Sequence, residues 1–274
     1  MIKLKNNKLF KGDALRWLKK FPSSSVDLIV TSPPYANKRM SSYGGTKPEN
    51  YIEWFLPITS ELYRVLKSDG SFVLNIKEGV NIERQTYVLE LILELKKQGW
   101  LWIDEYIWRK STSMPGKWPN RLRDGWERCL HFTKNKKFNM FQDSVMVPVG
   151  DWAKKRMARL SKNDVKRTIS STKSGLGRNL INWKNRKLVY PDNVLEFAPL
   201  CYGSGHSAAF PKELPTWFIK LFTRKGDVVL DPFIGSGTTA VASLELGRKF
   251  VGIELKKDYY NLALKNIKET KKNC

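Results

Sequence analysis

Val228-Val229-Leu230-Asp231-Pro232-Phe233-Ile234-Gly235-Ser236-Gly237-Thr238-Thr239 decides the fold of this chain. A short apolar run ends on an acidic residue, crosses two glycines and opens a pattern that predicts a helix over 238–246. Strand, glycine loop and helix in that order place the loop at the edge of an open α/β sheet, where ligands bind. Gly235 and Gly237 let the backbone approach a ligand, with positive φ where needed. Ser236 or Thr238 is expected to cap the helix. The third glycine of the dinucleotide fingerprint is missing, and so is the lysine of a phosphate-cradling loop. Glu254 ends the next predicted strand, where it can accept hydrogen bonds from a ribose.

The same arrangement occurs near the start. The apolar run Val26 to Val30 empties into Thr31-Ser32-Pro33-Pro34-Tyr35. Two prolines fix φ and remove two amide donors, while their carbonyls stay available. Ser32 adds an oxygen and Tyr35 a rigid aromatic face. Such a loop can accept both hydrogens of an exocyclic amine while stacking on its ring. Further strands are expected over 8–10, 71–76, 101–108, 127–133 and 249–254. Helices are expected over 14–20, 51–66 (despite Pro57), 83–98, 214–222 and 257–271. Within 83–98, Leu89, Ile92, Leu93 and Leu95 are expected to face inward. Residues 68–70 read as a turn and 36–50 as a mobile loop. Strands alternating with helices predict an α/β fold, a mostly parallel sheet with helices on both faces.

The chain has 274 residues, 41% hydrophobic, enough for one substantial core and a smaller lobe. Its net charge of +23 points to a polyanionic partner, nucleic acid first. Residues 151–190 hold 12 Lys/Arg against 2 Asp/Glu, so the charge is concentrated as on a docking surface. Periodicity fails over 141–195, although Trp152, Ile169, Leu176, Leu180, Ile181 and Trp183 could core a small lobe. Arg156, Arg159, Arg167, Arg178 and Arg186 are candidates for phosphate or guanine contacts. Three scattered cysteines and two histidines predict neither a disulfide framework nor a metal site. No apolar run is long enough to span a bilayer and no secretory signal opens the chain, so a cytoplasmic protein without a membrane partner is expected.

Together the two loops resemble those of the DNA amino-methyltransferases, S-adenosylmethionine-dependent enzymes with the Rossmann-like class I methyltransferase fold. The resemblance implies S-adenosylmethionine as cofactor, no metal, and double-stranded DNA as substrate. It implies cofactor-binding roles for Asp13 (adenine), Glu254 (ribose), and Asp231, Pro232, Phe233, Gly235, Ser236, Gly237 and Thr238 near the methionine part. Phe210 and Pro211 fall in His206 to Leu214, which resembles the segment closing over that part. Ser32, Pro33, Pro34 and Tyr35 match the catalytic motif. Its Ser-Pro-Pro-Tyr form is typical of N4-cytosine enzymes and Asp-Pro-Pro-Tyr of N6-adenine enzymes, so adenine is the alternative. With the catalytic motif before the cofactor motif, the order is that of the circularly permuted β group. That order implies a discontinuous catalytic domain, 1–140 with 196–274, and a target recognition domain over 141–195. A cognate restriction endonuclease is the implied partner in a prokaryotic cell; monomers and homodimers both occur. No Pro-Cys pair is present, against C5-cytosine chemistry. An RNA or protein amide methyltransferase and a non-enzymatic nucleic-acid-binding module are the remaining alternatives.

Overall fold

The computed structural model describes residues 4, 6–36, 46–80, 83–112, 116–151, 155, 158–159, 186–199 and 210–273. Two compact units result, Met1–Phe141 with Asn193–Cys274, and Gln142–Asp192.

The larger unit carries strands β1 (Lys8–Lys11), β2 (Val26–Thr31), β3 (Leu66–Ile76), β4 (Leu101–Lys110) and β5 (Trp126–Thr133). Its helices over the same stretch are α1 (Ala14–Leu18), α2 (Pro48–Val65) and α3 (Tyr87–Lys97). In the smaller unit, β6 (Val147–Pro148) pairs antiparallel with β7 (Leu188–Val189). Back in the larger unit follow β8 (Val194–Phe197), α4 (Glu213–Phe222), β9 (Val228–Asp231), α5 (Thr238–Glu245), β10 (Lys249–Glu254) and α6 (Lys257–Asn273).

Eight strands form one sheet in the order β1-β10-β9-β2-β3-β5-β4-β8, and only β5 runs against the others. The central strands β2 and β9 are apolar almost throughout because both of their faces are covered. Alternation along β5 shows the two faces. Leu130 and Phe132 join the core beneath α2 and α3, whereas His131 between them meets Phe222 of α4, ring centroids 4.4 Å apart. No helix among the described residues is long and apolar enough to cross a membrane.

The structure differs from the sequence reading at several places, and 48–50 of the expected mobile loop already belong to α2. Residues 68–70 are not a free turn but part of β3. Val26 pairs with Leu66 and Leu28 with Ser71, so the extra residues bulge from the ladder. Asn135 and Asn139 take up the Ser68 and Asp69 oxygens there. Helix α3 starts only at Tyr87, because Arg84 is drawn into a bridge with Val80 and an ion pair with Glu78. Leu89 and Leu93 are exposed, at 54% and 60%. The buried stripe is Tyr87, Val88, Leu91, Ile92 and Leu95, anchored by Tyr87 on Tyr51 of α2, 4.7 Å between ring centroids. A single helix face cannot also hold two leucines that lie between about a third and a half of a turn away. Finally, Phe141 donates its amide to Leu221 of α4, and Val194 and Leu195 pair with β4, so these ends of the basic segment are bonded within the larger unit. Trp152, Ile169, Leu176, Leu180, Ile181 and Trp183 lie outside the described residues, as do 37–45 of the expected mobile loop.

Candidate cofactor and target site

Parallel pairing aligns the C-terminal ends of β1, β10, β9, β2 and β3 along one edge of the sheet. Asp231 ends β9 and is 2% exposed. One of its oxygens accepts from the Thr31 hydroxyl at 2.6 Å and the Phe233 amide at 3.1 Å; the other accepts from the Thr239 hydroxyl at 2.7 Å. The Thr31 bond ties the two sequence motifs together. Burial pushes the Asp231 carboxyl up to about 6, against the pull of these donors.

Beyond Asp231 the chain turns through Gly235 at φ 54° and Gly237 at φ 91°, a region L side chains rarely adopt. Gly237 itself is the N-cap of α5, so neither Ser236 nor Thr238 caps the helix with its side chain, contrary to expectation. A Cβ on Gly237 would lie 3.1 Å from Ala263 of α6. The positive-φ turn supplies the bend that a side-chain cap was expected to stabilise.

Glu254 ends β10. Its Oε2 accepts from the Gly235 amide at 2.9 Å and its Oε1 from the Lys256 amide at 2.8 Å. Burial raises its carboxyl above the usual range. A carboxylate offers about four acceptor sites, so the group can still accept from a ribose hydroxyl. On the neighbouring strand, the Gly12 amide donates to the Glu254 carbonyl, which sets Asp13 beside this end. Asp13 caps α1 through Oδ1, accepting from the Arg16 amide at 2.9 Å. Phe233 closes one side against Trp54 and Phe55 of α2. Residues 228–246 contain no Lys or Arg, so nothing in this turn repels a cationic ligand. Acidic strand ends, a positive-φ glycine turn and the aromatic ring of Phe233 fit a nucleoside carrying a positive centre. Phe210 and Pro211 are buried and lead into α4, which the Lys212–Glu245 ion pair fastens to α5; residues 206–209 lie outside the described ones.

The second loop leaves β2 at Thr31. Pro33 is buried, while Ser32, Pro34 and Tyr35 are half-buried. Ser32 Oγ donates to Tyr35 Oη at 3.2 Å, and Tyr35 Oη lies 2.8 Å from Glu127 Oε2 and 3.2 Å from Asn75 Oδ1. Burial, then the Glu127 charge, holds the Tyr35 phenol well above its usual range, so it stays protonated. Asn75 Nδ2 also donates to Glu127 Oε2, and Lys110 pairs with Oε1 at 2.7 Å. Asn75 and Glu127 are absent from the sequence reading. They come from β3 and β5, and no spacing connects them to residue 35.

Of the five arginines, Arg159 and Arg186 are exposed in the smaller unit; Arg156, Arg167 and Arg178 lie outside the described residues. The buried Cys129 is held above the usual thiol range by desolvation, as befits a packing residue rather than a nucleophile.

A mostly parallel sheet with these two loops on one edge is that of a class I methyltransferase. The chain matches the N6/N4 family of DNA methylases over residues 26–265 and belongs to it. It is 28% identical to the type II methyltransferase M.PvuII of Proteus hauseri over 93% of this chain and 81% of that one. To the DNA adenine methyltransferase YhdJ of Escherichia coli K12 it is 29% identical, over 94% and 82%. Among solved structures it resembles the PvuII DNA methyltransferase, described as cytosine-N4-specific, at TM-score 0.72 and 22% identity over 97% and 90%. It also resembles M1.HpyAVI, solved with S-adenosylmethionine, at TM-score 0.60 and 23% identity over 94% and 98%.

Proposed function

We propose that this DNA methyltransferase transfers a methyl group from S-adenosylmethionine to the exocyclic N4 amine of a cytosine flipped out of duplex DNA. The observation that carries this reading is the Ser32-Pro33-Pro34-Tyr35 loop, bonded through Thr31 to Asp231 of the cofactor loop at 2.6 Å. S-adenosylmethionine supplies an electrophilic methyl group on a cationic sulfur. Glu254 holds the ribose, Asp13 faces the adenine, and Asp231 with the glycine turn receives the methionine part. Ser32 Oγ and the Pro33 carbonyl accept the two amine hydrogens. They draw the nitrogen toward tetrahedral geometry and localise its lone pair. Holding the reacting atoms about 3–3.5 Å apart then removes much of the barrier. Flipping the base costs a few kcal/mol, and stacking on Tyr35 returns about 1–3 kcal/mol.

The unit Gln142–Asp192 is assigned as the target recognition domain, with Arg156, Arg159, Arg167, Arg178 and Arg186 as its candidate DNA contacts. A cognate restriction endonuclease acting on the same site is the expected partner, in the cytoplasm of a prokaryote. N6-adenine methylation is the second reading, favoured by the adenine specificity in the name of YhdJ. DNA from cells expressing the protein, digested to nucleosides and analysed by mass spectrometry, separates the two. N4-methylcytosine is the expected product; N6-methyladenine alone would overturn the cytosine assignment.

A further inference from the structure

Methylation leaves the amine nitrogen with one proton too many. Ser32 Oγ points its own hydrogen at Tyr35 Oη, 3.2 Å away, which leaves its lone pairs free for the amine. Tyr35 Oη has two acceptors, and the nearer is Glu127 Oε2 at 2.8 Å. The far oxygen of Glu127 is paired with Lys110 at 2.7 Å, and the Glu127 side chain is 12% exposed. A loop serine, a tyrosine and a strand carboxylate thus form an unbroken hydrogen-bonded line from Ser32 to the Glu127–Lys110 ion pair.

We propose that Glu127 is the terminal proton acceptor of the reaction, reached through the Ser32 and Tyr35 hydroxyls. This rests on the amino-methylation reading above. The amine N–H bond breaks and its electron pair stays on nitrogen. Ser32 Oγ takes that proton as its own hydrogen passes to Tyr35 Oη. The Tyr35 hydrogen passes to Glu127 Oε2, and the carboxylate becomes a carboxylic acid. Ser32 and Tyr35 end neutral, as they began. Because burial and the Glu127 charge keep the phenol protonated, Tyr35 hands its proton on only as it receives another. The positive charge delivered to the amine therefore ends on a group that began negative, and Lys110 keeps its own proton throughout. Asn75, bonded to both Tyr35 Oη and Glu127 Oε2, is a positioning residue for this line.

The test uses the full chain, S-adenosylmethionine with a tritiated methyl group and unmethylated bacterial genomic DNA under single turnover. Glu127→Gln and Tyr35→Phe keep the shape of the site and cut the line at two different points. Each is expected to lower the transfer rate by about 10²-fold, the range for a general base. The double variant is expected to lose no more than either single one, as for residues acting as a unit. Independent losses that multiply, or an E127Q rate near wild type, overturn the relay. A second readout needs neither cofactor nor DNA. In protein with 13C-labelled tyrosine, the Tyr35 Cζ resonance is expected to move in E127Q, and an unmoved resonance also overturns the relay. Unchanged cofactor affinity in both variants shows that they are folded. If the wild type itself transfers no methyl group to DNA, the function on which the relay rests fails instead.

Discussion

Burial pushes the Asp231 carboxyl from 3.8 up to about 6, which couples folding to acidity and, under the proposed function, cofactor binding as well. Between those pH values the folded chain holds a proton that the unfolded chain has released. Stability from this group therefore falls as pH rises through the window. His131, on the other face, has the opposite effect: burial lowers its pKa from 6.5 to about 3. It stays neutral where the unfolded chain would be protonated, so its stability contribution is lost as pH falls through that range. The two shifts offset one another between about pH 4 and 6. Asp231→Asn is expected to expose the His131 effect, so that thermal stability falls more steeply on going from pH 6 to pH 4 than in wild type. The proposed cofactor carries a positive sulfur, so it should prefer the ionised carboxylate. Its affinity, measured by calorimetry, is expected to weaken about tenfold per pH unit below about 6, and the neutral demethylated product is expected to respond less. Gly237→Ala and Gly226→Ala both meet φ 91°, but only Gly237 has Ala263 at 3.1 Å, since Gly226 faces open space. Both are expected to lose about 1–3 kcal/mol in urea unfolding, and the excess for Gly237→Ala reads the crowding alone.

Helix α3 shows how far sequence patterns reach. Its apolar residues outnumber what one face can bury, and periodicity alone does not say which leucines lose. The answer is Tyr51 on α2, which Tyr87 meets, and that contact is invisible in the segment itself. Leu91→Ala or Leu95→Ala is expected to cost about 2–5 kcal/mol, whereas Leu89→Ser or Leu93→Ser should stay within about 0.5 kcal/mol; chemical denaturation checks both. The strand ends were readable for a physical reason. Asp231 and Glu254 each close an apolar run, and an acid there has no place but the sheet edge. Glu127 was not readable. Its neighbours in the chain look like any partly exposed strand, and its partners Tyr35, Asn75 and Lys110 arrive from three other segments. Likewise Ser68-Asp69-Gly70 has the composition of a turn, and its place as a bulge depends on pairing with β2 and on the amides of Asn135 and Asn139, from other segments.

At the scale of the molecule, the surplus of positive charge within 151–190 sets an expectation for DNA binding. Affinity for duplex should fall steeply with salt, because each neutralised phosphate releases condensed counterions. Arg159→Gln and Arg186→Gln should each reduce the slope of log K against log salt by about 1 if they meet phosphates, and leave cofactor affinity unchanged; fluorescence anisotropy at several salt concentrations measures this. The sheet itself has a consequence for synthesis. Thr31 and Asp231 are bonded across 200 residues of chain, and β2 has no neighbour on that side until β9 exists. At about 5–20 residues per second the ribosome needs roughly 10–40 s to make the intervening length. For that time a nascent chain carries an apolar strand with one open edge, a template for pairing with its neighbours on the same message. Slow translation or warm growth should therefore reduce the yield of active enzyme well before finished molecules begin to melt.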